Sequence, residues 1–198
     1  MILYDFPLSG NCYKVRLLLA QLQLPYEKVF LDRLAGETRK SDYLEKNPNG
    51  KVPLLELESG EKIAESNAIL FHLAEGTPFS PAGKLEKTQV LQWLFFEQAS
   101  HMPNIAVPRY WISVLKKEKE FAEQLVEKHK LGYQALAVME KHLQPRKFFV
   151  NETYSIADIS LYAYTHMAHE GKFEMDQFPS VLTWLKRVQD QPNHITIV

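Results

Sequence analysis

The hydrophobic pattern of the first 75 residues switches repeatedly between the period of a strand and the period of a helix. Residues 2–6 form a short apolar run and residues 26–31 alternate, so both predict strands, whereas the apolar side chains of residues 11–23 recur at helical spacing. The predicted elements are strands over 2–6, 26–31, 54–57 and 62–65 and helices over 11–23, 39–46 and 66–74. Their order, β-α-β-α-β-β-α, is typical of a compact α/β unit.

The rest of the chain has a different pattern, in which helical spacing dominates and no strand is indicated. Pro78 and Pro81 interrupt any helix that would continue from the first part. Beyond them, helices are predicted over 84–100, 110–128, 130–142, 157–168 and 179–190. Ser155 and Asp158 have the spacing of a capping box. We therefore expect a first domain over 1–76, a linker over 77–84 and an all-helical domain over 85–198.

The charge balance and the cysteine content narrow the range of functions. Twenty-three basic against 24 acidic residues give a formal net charge of −1, which argues against a dedicated partner of nucleic acids or anionic membranes. No apolar window is long enough to span a membrane, and the short apolar N-terminus lacks the basic residues of a signal peptide. Cys12 is the only cysteine, which excludes an intramolecular disulfide and a thiolate zinc site. A cytoplasmic location is expected.

The first candidate for chemistry is the segment with Ser9, Asn11 and Cys12, at a predicted junction of strand and helix. A serine in this position is often only a helix N-cap. The same geometry also suits an anion, because a helix N-terminus offers unpaired N–H groups and a partial positive charge. Ser9 would then donate a hydrogen bond to a bound thiolate.

Two further segments of the first domain can bind an extended ligand. Val52 precedes Pro53 at a strand start, where a cis peptide bond would expose the main chain of Val52. Glu65 and Ser66 open a predicted helix, where they can hold the ammonium and the carboxylate of an α-amino acid. A helix cap with a favourable acid is the structural alternative for this pair.

In this order, the motifs resemble those of the soluble (cytosolic) glutathione S-transferases, of a bacterial serine type or related to the theta- or nu-like classes. The resemblance extends over essentially the whole chain and includes Ser155 to Asp158, which looks like the capping signature of that family's helical domain. It implies an α/β thioredoxin-like N-terminal domain (βαβαββα), a cis-Pro53, an all-α C-terminal domain and a homodimer. It also implies glutathione as co-substrate, with no metal.

The resemblance assigns roles to individual residues of the first domain. Val52 would pair main chain to main chain with the cysteinyl part of glutathione, and Glu65 and Ser66 would hold its γ-glutamyl end. The residues at positions that the family uses for the glycine carboxylate are Thr38, Arg39 and Lys51. Many relatives have His in place of Thr38. The candidates for thiol activation, in order of preference, are Ser9, Asn11 and Cys12, and Cys12 is also interpreted as a buried apolar residue.

An aromatic stretch of the second domain supplies candidates for the second substrate. The residues considered for an acceptor pocket are His101, Asn104, Arg109 and Trp111, and Gln98 is considered for contact with the glutathione of a partner subunit. The structural alternative is that most of this stretch packs in the core or at a dimer contact. His166 and His169, three apart on a predicted helix, are interpreted as a surface pair rather than a metal site.

Three functions are compatible with these features. The first is conjugation of glutathione to a small hydrophobic electrophile. The second is glutathione-dependent reduction of disulfides or peroxides, which Asn11 keeps open because some bacterial relatives use an Asn there. The third is a non-catalytic binding or assembly module, for which the Val52–Pro53 and Glu65–Ser66 motifs would not be needed. Detoxification, catabolism and redox defence all stay open as the physiological role.

Overall fold

The computed structural model describes residues 1–197, which divide into two compact units. One unit consists of residues 1–77 together with the C-terminal residues from Pro192 onward, and the other consists of residues 78–191. The division falls at Pro78, the first of the two prolines that mark a boundary in the sequence. The C-terminal residues belong to the first unit, an association that the hydrophobic pattern did not indicate.

The first unit has the predicted order of strands and helices. Its elements are β1 (Ile2–Asp5), α1 (Gly10–Gln21), β2 (Glu27–Phe30), α2 (Ser41–Leu44), β3 (Leu54–Glu56), β4 (Lys62–Ala64) and α3 (Ser66–Ala74). A 3₁₀ turn over Glu37–Arg39 precedes α2, so the helix predicted over 39–46 is shorter than its pattern suggested.

The four strands form one mixed sheet in the order β2-β1-β3-β4. Strand β1 is parallel to β2, with Leu3 opposite Lys28, and antiparallel to β3, with Leu3 opposite Leu55. Strands β3 and β4 form the predicted hairpin.

Successive side chains of β1 point to opposite faces of this sheet. Leu3 packs with Val15 of α1 and Ile69 of α3, whereas Tyr4 packs with Tyr43 of α2. Helices α1 and α3 therefore cover one face of the sheet and α2 covers the other. This confirms the thioredoxin-like fold of the first domain.

The C-terminal residues are attached to the first unit through α1. The hydroxyl of Tyr13 donates to Ile195 O at 2.7 Å, and Arg16 Nη2 donates to Ile197 O at 2.8 Å. Both donors lie on buried residues of α1, so they need acceptors inside the protein.

The second unit is helical, as predicted. Its helices are α4 (Lys84–Phe96), α5 (Met102–Arg109), α6 (Ala122–Leu143), α7 (Ile156–Thr165) and α8 (Pro179–Gln189). A 3₁₀ turn over Ala168–Gly171 follows α7, and π-helical turns over Glu97–His101 and Tyr110–Val114 flank α5. Helix α5 contains Pro108, which cannot donate an intrahelical hydrogen bond, and π-helical turns accommodate such local irregularity.

The prediction of one continuous helix over residues 110–128 is wrong, because the helical segment is interrupted. The chain leaves the π-helical turn at Lys116, whose φ of 55° is left-handed and ends helical geometry, and it resumes a helix only at Ala122. From there α6 continues without a break to Leu143, so the helix predicted over 130–142 is the second part of a longer one. The sequence pattern missed this arrangement because the polar residues around Lys116 suit an exposed helix as well as a turn.

The capping box predicted at Ser155 is present at the start of α7. Ala157 N donates to Ser155 Oγ at 3.3 Å, and Ser155 N donates to Asp158 Oδ2 at 3.0 Å. Asp158 also accepts from Phe149 N at 3.2 Å and from Trp184 Nε1 at 2.9 Å. This completely buried carboxyl therefore joins α7, α8 and the segment before α7.

Residues 1–197 lack two features, a membrane-spanning helix and a cluster of metal-binding side chains. In this part of the chain, no helix is both long and apolar enough to cross a lipid bilayer. Over the same residues, no three His, Cys, Asp or Glu side chains form a group that could hold a metal ion.

Candidate active site

Ser9 is the N-cap of α1, in the turn that follows β1. Its backbone is extended, with φ of −80° and ψ of 117°, and its Oγ accepts a hydrogen bond from Cys12 N at 3.3 Å. This bond uses a lone pair of the oxygen, so the hydroxyl proton can be donated to a ligand. The side chain is partly exposed. Ser9 is therefore a cap that also retains a donor at the positive end of a helix.

Cys12 lies in the core, with no exposed surface. Burial raises the pKa of its thiol to about 12, and the hydrogen bond with Ser9 lowers that pKa only in part. The thiol is thus protonated at neutral pH and has no access to solvent. These observations favour Ser9 over Cys12 as the group that acts on a ligand, and they fit the interpretation of Cys12 as a buried apolar residue.

Ser66, the first residue of α3, is hydrogen-bonded to two residues of α1. Lys14 Nζ donates to Ser66 Oγ at 3.3 Å, and Ser66 Oγ donates to Asn11 Oδ1 at 3.3 Å. The N-termini of α1 and α3 therefore lie side by side. Two helix N-termini and the ammonium of Lys14 place positive potential at the same point, which favours a bound anion.

Glu65 precedes α3 with a positive φ of 66° and a ψ of 115°. Residues other than glycine rarely adopt such a φ, and they do so more often at ligand sites, where the surrounding structure compensates the strain. The Glu65 side chain is exposed, and Asn49 Nδ2 donates to its Oε1 at 3.4 Å. Its carboxylate is therefore available to a cation beside the anion-binding groups of Ser66.

Two side chains donate hydrogen bonds to the main chain of the segment before β3. Tyr43 OH and Asn47 Nδ2 both donate to Lys51 O, at 2.6 and 2.8 Å, which fixes the peptide group that leads into Val52. The Val52–Pro53 peptide bond is cis, as the resemblance implied.

The three residues considered for a glycine carboxylate differ in accessibility. Thr38 is buried, with 3% of its surface exposed, whereas Arg39 and Lys51 are exposed. Arg39 Nη1 donates to Asn49 O at 3.1 Å, and Gly50 leaves room for it, because a Cβ at Gly50 would lie 2.6 Å from that nitrogen. The structure thus favours Arg39 and Lys51 over Thr38 as groups that meet a carboxylate.

Three of the candidates for an acceptor pocket are buried within the second unit. His101 has no exposed surface, and its Nε2 lies 2.9 Å from Thr165 Oγ1. Asn104 Nδ2 donates to Ser100 O at 2.8 Å. Arg109 Nε donates to Glu170 Oε2 at 2.8 Å. These contacts are those of a packed core, which was the alternative interpretation of the stretch.

The other two candidates in the second unit remain partly exposed. Trp111 stacks on Phe121, with the ring centroids 4.3 Å apart and the planes 7° from parallel. Gln98 Nε2 donates to Glu97 Oε2 at 3.3 Å. Both side chains therefore keep surface that a ligand or a second chain can contact.

Reasoning from the sequence missed Lys14 and Asn49. Lys14 follows Asn11 by three residues and precedes Leu18 by four, so it lies on the face that α1 turns inward. A charged residue at a core-facing position was the available signal. For Asn49 no such signal existed, since its contact with Glu65 depends on how the chain folds back.

The chain is similar to proteins of known fold along its whole length. Residues 1–75 match the family model for the glutathione S-transferase N-terminal domain, and residues 108–194 match that for the C-terminal domain. A crystal structure of a glutathione S-transferase from Pseudomonas fluorescens is 49% identical, with a TM-score of 0.98, and covers 100% of this chain and 98% of the other.

Two other similar proteins are connected with disulfides, one by its name and the other by the molecule bound in its crystal structure. The disulfide-bond oxidoreductase YfcG of Escherichia coli is 27% identical over 97% of this chain and 92% of its own length. A glutathione transferase from Pseudomonas putida, crystallised with one glutathione disulfide per subunit, is 25% identical, with a TM-score of 0.86, over 97% of this chain and 87% of the other.

Proposed function

Because the chain belongs to the glutathione S-transferase family, we propose that it binds glutathione on its first unit and activates the thiol as a thiolate. The thiolate attacks a small hydrophobic electrophile, forms a thioether bond and displaces the leaving group. The observation that carries this proposal is the hydroxyl of Ser9, a donor at the positive end of α1, two residues before the Asn11 that bonds to Ser66.

Each part of glutathione has a complementary group on the first unit. The carboxylate of Glu65 takes the ammonium of the γ-glutamyl group, and Ser66 with the first N–H groups of α3 takes its carboxylate. The main chain of Val52, beside the cis-Pro53, pairs with the cysteinyl part. Arg39 and Lys51 are exposed cations for the glycine carboxylate.

The free-energy requirement for activating the thiol is modest. A free thiol has a pKa of about 8.5, so only a few per cent is ionised at neutral pH. Lowering this pKa by about two units requires roughly 2.7 kcal/mol of preference for the anion. A hydrogen bond to a charged group contributes about 1.5–3 kcal/mol and a helix N-terminus about 0.3–1 kcal/mol. Ser9 and the start of α1 are therefore sufficient.

The contribution of the second unit is proposed from its two partly exposed candidates, Trp111 and Gln98. Trp111 offers an aromatic surface to an apolar electrophile, whereas His101 is too deeply buried to touch one. A Trp111→Ala variant should raise the KM for the electrophile and leave the affinity for glutathione unchanged. Gln98 is proposed to reach the glutathione of a partner subunit. The homodimer and the cytoplasmic location are predictions that stand beside this proposal.

The test is the ultraviolet difference spectrum of added glutathione, titrated against pH in wild type, Ser9→Ala and the control Ser59→Ala. Ser59 is an exposed serine of the β3–β4 turn. We expect a thiolate band well below the pKa of the free thiol in wild type and Ser59→Ala. Ser9→Ala should lack the band and lose about 10²-fold in turnover, as expected for removal of one donor to a developing anion.

The other outcomes separate the alternatives. A band that survives in Ser9→Ala would assign activation to Asn11 or to the helix terminus alone. Binding without any band would favour a non-catalytic module, which would also be indifferent to Ser9→Ala. A protein that does not bind glutathione would overturn the proposal.

Reduction of disulfides is the second candidate, and the position of Asn11 in the first turn of α1 favours it. It is also favoured by similarity to a disulfide-bond oxidoreductase and to a glutathione transferase crystallised with glutathione disulfide. In this reaction two glutathione molecules are oxidised to glutathione disulfide while the substrate disulfide takes up two electrons and two protons. The experiment compares Ser9→Ala with Asn11→Ala on a small aryl halide and on a small disulfide. If reduction is the main reaction, Asn11→Ala should lower disulfide turnover more than conjugation.

A further inference from the structure

Lys14 is a charged residue placed inside the first unit. It has no exposed surface, although it lies in the second turn of a helix whose first turn is partly exposed. Removing an ammonium from water is costly, and a methionine would fill a similar volume without that penalty. Packing of α1 alone therefore does not account for a lysine at this position.

The hydrogen bonds of Ser66 indicate what Lys14 does. Lys14 Nζ donates to Ser66 Oγ at 3.3 Å, so a lone pair of that oxygen is used and its proton points elsewhere, to Asn11 Oδ1 at 3.3 Å. A hydroxyl that accepts from an ammonium becomes a better donor, because hydrogen bonds in a chain polarise one another. The hydrogen bonds therefore run from Lys14 in the interior, through Ser66 at the start of α3, to Asn11 in the first turn of α1.

A carboxylate at the start of α3 would replace Asn11 as the acceptor of the Ser66 proton. An ionised oxygen is a stronger acceptor than an amide oxygen, so the exchange is favourable. The positive charge of the buried Lys14, which is hydrogen-bonded to Ser66, further favours a carboxylate over the neutral amide oxygen. Because it is buried, salt screens it much less than it screens the exposed Arg39 and Lys51.

We propose that Lys14 is a positioning residue that acts through Ser66 and makes the site selective for γ-glutamyl ligands with a free α-carboxylate. This inference rests on the proposed function, since it takes glutathione as the ligand. It assigns Lys14 to recognition of the γ-glutamyl end, and it leaves the activation of the thiol to Ser9. A γ-glutamyl compound whose α-carboxylate is amidated is therefore bound poorly.

The test compares the dissociation constants of glutathione and of its analogue with an amidated γ-glutamyl α-carboxylate. The variants are Lys14→Met, which removes charge and donor, Lys14→Gln, which keeps a donor, and Lys14→Arg, which keeps the charge. The matched control is Lys28→Met, at an exposed lysine of β2. Circular dichroism and the denaturation midpoint establish that each variant is folded.

Wild type and Lys28→Met should bind glutathione at least tenfold more tightly than the amide. Lys14→Met should weaken glutathione about tenfold and leave the amide within twofold, so that the preference for the carboxylate is lost. Lys14→Arg should keep most of the preference, and Lys14→Gln should keep little of it. In Lys14→Met the KM for glutathione should rise about tenfold and account for most of the loss in kcat/KM, because the thiol is activated elsewhere.

Equal weakening of both ligands in Lys14→Met would overturn the inference and show a purely structural role. An unchanged preference would overturn it as well. If the Lys14 variants do not fold, Ser66→Ala is the deciding variant. Loss of this hydroxyl should abolish most of the preference for glutathione over the amide. A retained preference would exclude an action of Lys14 through Ser66. A wild-type protein that binds neither ligand would instead overturn the proposed function, and this inference with it.

Discussion

Helices α1 and α7 both begin at a serine N-cap, yet the two caps are built differently. Ser155 is buried and forms a reciprocal box with Asp158, whose other hydrogen bonds reach Phe149 and Trp184. Ser9 is partly exposed, and its side chain accepts one bond from Cys12 N. The cap of α7 is thus buried and hydrogen-bonded to neighbouring segments of the protein, whereas the cap of α1 keeps a donor for a ligand.

Helix α1 is fixed instead at its second turn. Arg16 Nη1 forms an ion pair of 2.6 Å with Asp5, and Arg16 Nη2 donates to Pro7 O at 2.9 Å and to Ile197 O at 2.8 Å. Both members of the ion pair are buried. Anchoring the helix away from its first residue allows Ser9 to contact a ligand without weakening the fold. Four predictions test this difference between the two caps.

The largest loss of stability is expected from Arg16→Met. It leaves Asp5 buried without its partner, and breaking a buried pair in this way costs about 3–5 kcal/mol. Urea denaturation measures the loss. The double variant with Asp5→Asn should recover part of it, because no charge is then left unpaired. A loss below about 1 kcal/mol would contradict the anchoring role.

Asp158→Asn should lower the free energy of unfolding by about 3 kcal/mol at pH 5. The amide nitrogen that replaces Oδ2 cannot accept the hydrogen bond that Ser155 N donates. Burial raises the pKa of Asp158 to about 7, against the effect of its hydrogen bonds. Since the folded pKa lies above the unfolded one, this carboxyl stabilises the fold at acidic pH and loses that contribution as pH rises through 7. The difference in free energy of unfolding between wild type and Asp158→Asn should therefore narrow by roughly 2–3 kcal/mol between pH 5 and pH 8.

Urea denaturation of both proteins across that pH range provides the measurement. A difference that widens with pH would show that the ionised carboxylate, held by its donors, is the stabilising form. Asp190→Asn, at an exposed aspartate after α8, should leave stability unchanged at every pH.

The two caps can be compared directly through Ser155→Ala and Ser9→Ala. Loss of a serine N-cap costs about 0.5–2 kcal/mol. We expect the upper part of this range for Ser155→Ala, which also removes the bond to Asp158, and the lower part for Ser9→Ala. The thiolate band of bound glutathione should show the reverse, with a loss only in Ser9→Ala. Equal effects of both variants on stability and on the band would contradict the distinction.

The smallest effect on glutathione activation and turnover is expected from substitution of Cys12. Because burial raises the pKa of its thiol to about 12, the native protein should not react with an aromatic disulfide reagent at pH 8 until it is denatured. Cys12→Ala should keep the thiolate band and change turnover less than twofold. Rapid labelling of the native protein, or loss of the band in this variant, would restore Cys12 as a candidate for the reacting group.

The order of the elements in the first unit and the positions of both serine caps were predictable from the amino-acid sequence alone. These features follow from local periodicity and from local hydrogen bonds, which involve residues within about one helical turn of each other. The sequence also placed Val52–Pro53 and Glu65–Ser66 at the starts of β3 and α3. It failed at Lys116, where the same polar residues suit a turn and an exposed helix.

Which of these side chains come into contact was not predictable from the sequence, because it depends on how the chain folds. Lys14 and Ser66 are 52 residues apart, and their contact exists because α1 and α3 pack on the same face of the sheet. The burial of Thr38 and His101 is likewise set by neighbours distant in the chain. Local pattern shows which face of a helix turns inward, whereas the identity of its partner depends on the closure of the whole fold.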